Sequence, residues 1–90
     1  MIKTLVLYRP NSEYARAVDD FVREFQHRSG GSKLIEVINI DSLEGAAAAE
    51  LYGIVQYPAI IVVAGDGFMQ NSWEGGTLPL IEEVMGYTRA

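Results

Sequence analysis

Few side chains in this sequence could do chemistry, and the residue type that is missing constrains it most. There is no cysteine, which removes disulfides, thiolate nucleophiles, iron–sulfur clusters and thiolate zinc sites together. His27 is the single histidine; it falls near the end of a helical pattern with neither a nucleophile nor ligand company, and reads as a surface residue. What remains is a phenol, a cation and a hydroxyl close in sequence: Tyr8, Arg9 and Ser12. An Arg beside a helix start serves either as a solvated surface cation or as a bidentate contact for an anion. Ser12 reads first as a helix cap, the ordinary role of serine at such a position. Farther on, Gly75-Gly76-Thr77 makes a turn ahead of another helical pattern, where free N–H groups suit a carboxylate. No residue is assigned a catalytic role and no set of metal ligands is found.

The elements that must position these residues fit in one domain, residues 1–90, with 49% hydrophobic and 21% charged residues and a net charge of −5. Six basic and seven acidic groups lie in residues 1–45, but only Arg89 opposes five acidic groups in residues 46–90. A nucleic-acid binder needs clustered Lys and Arg to displace counterions, so that class of partner is not expected. The apolar run Thr4–Tyr8 is too short for a signal peptide or a membrane span, which makes the cytoplasm the expected location with no membrane partner.

Ile2–Tyr8 is apolar without clean alternation and predicts a strand buried on both faces. From Ser12 the spacing turns helical, with Tyr14, Val18, Phe21, Val22 and Phe25 on the inner face and Asn11 or Ser12 as cap. Gly30-Gly31-Ser32 ends that helix, and the β-branched stretch Leu34–Ile40 predicts a second strand. Asp41-Ser42-Leu43-Glu44 reads as a capping box led by Asp41, ahead of a helix to Tyr52 that Gly53 stops. After Pro58, Ala59–Val63 is a strand, Gly65-Asp66-Gly67 a hairpin turn, and Phe68–Trp73 the returning strand. Thr77 is the expected cap of a last helix that carries Leu78, Ile81, Val84 and Met85 inward, with Pro79 in its first turn. The order βαβαββα implies an α/β fold with a four-stranded mixed sheet and helices on both faces.

The stretch Tyr52-Gly53-Ile54-Val55-Gln56-Tyr57-Pro58-Ala59-Ile60-Ile61-Val62-Val63, with Asn39-Ile40-Asp41 before it and Gly65-Asp66-Gly67 after it, resembles the second half of thioredoxins. The resemblance implies the thioredoxin fold, and it places Tyr57-Pro58 at the family's cis-proline loop, where the backbone of Tyr57 is left to pair with an extended ligand. The family's Cys-x-x-Cys falls on Ser12-Glu13-Tyr14-Ala15. Neither Ser12 nor Ala15 is a thiol, so neither dithiol nor monothiol redox chemistry has a nucleophile. The buried acidic residue beneath the thioredoxin site would fall near Val6.

Arg9-Pro10-Asn11 is also similar to the segment before the first cysteine of many glutaredoxins. In that family a cation, the proline loop and a Gly-Gly turn hold glutathione, which maps onto Arg9, Tyr57-Pro58 and Gly75-Gly76-Thr77. The acidic residue that often follows the turn is replaced by Leu78 and Pro79. The binding face expected from both resemblances is Arg9, Ser12, Ala15, Tyr57, Pro58, Gly75, Gly76 and Thr77. Three functions follow: a non-catalytic module that binds a protein or peptide on the proline-loop face, a glutathione-binding domain needing no other cofactor, or a structural and assembly domain.

Overall fold

The run Ala59–Val63 is buried at every position, and the sheet is built around it. The computed structural model describes residues 1–89. Its elements are β1 (Lys3–Tyr8), α1 (Ala15–Ser29), β2 (Leu34–Asn39), α2 (Leu43–Tyr52), β3 (Ala59–Val63), β4 (Met69–Glu74) and α3 (Ile81–Gly86). The sheet runs β2-β1-β3-β4. β1 lies parallel to β2, from Lys3 opposite Leu34 to Tyr8 opposite Asn39, and antiparallel to β3. The central pair β1 and β3 therefore carries apolar residues at successive positions, because both of its faces are covered.

Each face has its own core. Val18, Phe21 and Phe25 of α1 and Val84 of α3 pack with Val6, Ile60 and Val62. On the opposite face Ala49 of α2 packs with Leu5, Leu7, Ile38, Ala59, Ile61 and Val63. The small residues of α2 let it lie close to the sheet: a Cβ on Gly45 would stand 2.1 Å from the carbonyl oxygen of Asn39. Left-handed Gly30 and Gly53 end α1 and α2.

The expected order of elements is the observed one, but three helix starts differ from expectation. α1 begins at Ala15, its N-cap is Tyr14, and no side chain caps it. Ser12 instead closes a turn, its N–H donating to the Arg9 carbonyl at 3.1 Å and its carbonyl accepting from Ala15 at 3.2 Å. α2 is capped by Ser42, whose Oγ accepts from the Gly45 N–H at 2.9 Å; Asp41 is drawn away to Arg9. α3 begins at Ile81 with Leu80 as N-cap in extended conformation, so Thr77 caps nothing and Pro79 stands before the helix. The proline ring disfavours helical geometry at Leu78, and Glu82 and Glu83, three and four residues past Pro79, supply the acidic first turn.

Candidate functional site

The loops that leave β1 and enter β3 meet at the end of the sheet, where Arg9, Ser12, Tyr14, Ile40, Tyr57 and Pro58 line an open cavity of about 230 Å³. Of the residues expected at the binding face, Arg9, Ser12, Tyr57 and Pro58 are brought together here. Gly76 borders the cavity through Tyr14: a Cβ on it would lie 2.8 Å from the tyrosine ring and from its hydroxyl. Gly75 braces the loop from behind, its N–H donating to the Pro58 carbonyl at 3.0 Å. Ala15, half-buried as the first residue of α1, and Thr77, exposed after the turn, do not line the cavity. With α3 starting well past Thr77, the expected helix-start carboxylate site is not formed there.

The proline loop is held by β4. Glu74 Oε1 accepts from the N–H groups of Val55 at 2.8 Å and Gln56 at 3.1 Å. The Tyr57–Pro58 peptide bond is cis. Pro58 is buried and Tyr57 half-buried. Among the described residues neither the N–H nor the C=O of Tyr57 has a hydrogen-bond partner. An open pair of backbone groups on a loop fixed from both sides can receive an extended strand without rearranging.

The polar groups around the cavity divide into occupied and open. Arg9 forms a bidentate pair with Asp41, Nε to Oδ2 at 3.1 Å and Nη2 to Oδ1 at 3.2 Å. Those hydrogen bonds, followed by the charge of Asp41, hold its guanidinium above the ordinary value. Its fork is therefore filled from within the chain. The Tyr8 hydroxyl donates to Asp19 Oδ1 at 3.3 Å; burial first, and then Asp19, pushes that phenol up. It is turned toward α1 and takes no part in the cavity. Ser12 is half-buried, and its hydroxyl has no partner among the described residues.

Tyr14 and Ile40 were not legible as cavity residues. The helical spacing assigns Tyr14 to the inner face of α1, whereas it sits at the N-cap with 36% of its surface exposed. The nearest signal was its place inside Ser12-Glu13-Tyr14-Ala15. His27 is exposed, as expected.

No protein-family model and no curated protein matches this sequence. Solved structures similar to it include thioredoxins. Oxidised thioredoxin from Plasmodium falciparum superposes with a TM-score of 0.75 at 11% identity, over 98% of this chain and 82% of that one. Thioredoxin from Fasciola hepatica gives 0.74 at 14% identity, over 98% and 81%. Thioredoxin O2 from Arabidopsis thaliana gives 0.71 at 10%, over 96% and 70%. The architecture is thus that of an α/β protein with one mixed sheet between helical layers. More narrowly, the chain has the thioredoxin fold, in a version without cysteine.

Proposed function

We propose that this chain is a non-catalytic thioredoxin-fold module that binds a protein segment or peptide in extended conformation against the Tyr57–Pro58 loop. The observation that supports it is the open backbone of Tyr57 beside a cavity walled by two tyrosine rings. Main-chain pairing supplies affinity with little sequence demand, and the rings of Tyr14 and Tyr57 add apolar contact with a polar tip. Without a thiol, a bound segment is held and released rather than reduced.

Peptides selected by surface display against the domain, titrated into the ¹⁵N-labelled protein, test this reading. Saturable shifts confined to residues 9–15, 56–59 and 75–76 are expected. Selected peptides that shift other surfaces, or a display selection that yields none, would sink it. Reduced glutathione is the second ligand to titrate: shifts at the same residues would turn the reading to a thiol-peptide pocket.

A further inference from the structure

Both outer strands of the sheet are open, and they are not alike. β4 reads Met-Gln-Asn-Ser-Trp-Glu and is broken by a register shift opposite Val62 and Val63. Polar residues and an irregular register are the usual protection of an edge. β2 reads Leu-Ile-Glu-Val-Ile-Asn in unbroken register with β1, and Leu34 and Val37 are 45% and 42% exposed. Its backbone alternates. The Ile40 N–H donates inward to the Tyr8 carbonyl at 3.1 Å, so the groups of Leu34, Glu36 and Ile38 also face β1, while those of Ile35 and Val37 and the N–H of Asn39 face outward.

We propose that β2 pairs antiparallel with β2 of a second copy, centred on Val37, joining two four-stranded sheets into one. The outward set is self-complementary about that residue. The Val37 pair exchanges both N–H···O bonds, and each Asn39 N–H meets an Ile35 carbonyl of the other copy. The same register sets Lys33, the residue before β2, opposite Asp41, two residues past its end, so the ends of the interface match in charge; within each copy Lys33 Nζ donates to the Thr88 carbonyl at 3.2 Å, and Asp41 keeps 58% of its side chain exposed beside Arg9. A register centred on Glu36 would oppose two carboxylates directly, which is destabilising in a sheet. This inference is independent of what the Tyr57–Pro58 loop binds.

Sedimentation velocity over a micromolar-to-millimolar series, with hydrogen exchange read at each concentration, tests it. The mass should rise from 9.9 kDa toward twice that value, and the amides of Ile35, Val37 and Asn39 should become protected in step. Val37→Lys, on an exposed position, should weaken association at least about tenfold with an unchanged circular dichroism spectrum. Lys33→Glu, which opposes two acids, should weaken it severalfold. A chain that stays monomeric at millimolar concentration would overturn the proposal. So would a dimer that leaves those amides unprotected, or one indifferent to both substitutions.

Discussion

Gly76 lies so close to the ring of Tyr14 that a Cβ there would stand 2.8 Å from both the ring edge and the hydroxyl. This contact joins the turn after β4 to the loop before α1 across the mouth of the cavity. The same Tyr14 is the N-cap of α1, which no side chain caps.

Gly76→Ala should therefore reshape the site without unfolding the protein. The obstructing atoms are the outer end of a partly exposed side chain, which swings away at small cost. Gly45→Ala meets the backbone of Asn39 and Ile40 at 2.1 and 2.8 Å instead, and backbone does not yield in this way. Expected losses in urea denaturation are under about 1 kcal/mol for Gly76→Ala and about 1–3 kcal/mol or more for Gly45→Ala. Equal losses would contradict the packing described, as would unmoved Tyr14 ring resonances in the Gly76 variant.

The cap of α2 gives a second test. Ser42 Oγ accepts from Gly45 and donates to the Asn39 carbonyl at 2.6 Å, whereas the Asp41 carboxylate is committed to Arg9. Ser42→Ala should cost about 1 kcal/mol, the ordinary value of a lost N-cap. Asp41→Ala should cost only the fraction of a kcal/mol typical of an exposed ion pair. Chemical denaturation of the two variants side by side decides it, and the reverse order would restore Asp41 as the cap.

These two loci show which parts of the structure were legible in the sequence. Element order was, because runs such as Ala59–Val63 and the spacing of Val18, Phe21 and Phe25 record burial locally. Helix starts were not, because their determinants lie elsewhere in the chain. Asp41 and Ser42 are equivalent caps in isolation, and Arg9, far away in sequence, separates them by claiming the first. Ser12 does not cap because the chain makes a turn between Arg9 and Ala15 before α1 begins. The cavity was legible where a resemblance marked it, at Arg9, Ser12, Tyr57 and Pro58. Tyr14 escaped because aromatic residues at helical spacing are read as core.

Acid should loosen the packing of α3 on α1. Glu82 bonds to Arg28, which also holds Glu24 at 2.9 Å. The hydrogen bond from Arg28, then one from the Glu82 backbone, lowers the carboxyl from its ordinary 4.5. A carboxyl lowered in the folded state stabilises it above the unfolded value and loses that effect as pH falls through the folded one. Between about pH 5 and pH 3, the melting temperature of the wild type should fall more steeply than that of Glu82→Gln. Parallel curves would mean the pair contributes nothing to folding, as many exposed pairs do not.

The pairing of Arg9 with Asp41 leads to a prediction about ligands. Both side chains are more than half exposed, 57% and 58%, so the pair is weak enough to be broken by a competing carboxylate and strong enough to handicap one. Asp41→Asn removes the negative charge and one of the two acceptor oxygens while keeping the size of the side chain, which frees one donor of the Arg9 fork and weakens the hold on the other at the cavity rim. Reduced glutathione, titrated by NMR, should then bind the variant about two- to fivefold more tightly than the wild type, the range an exposed charge pair supplies. Arg9→Ala should abolish that gain in the double variant. If Asp41→Asn leaves the titration unchanged, Arg9 is a strut between the loop after β1 and the loop after β2, and ligand recognition rests on the open backbone of Tyr57 instead.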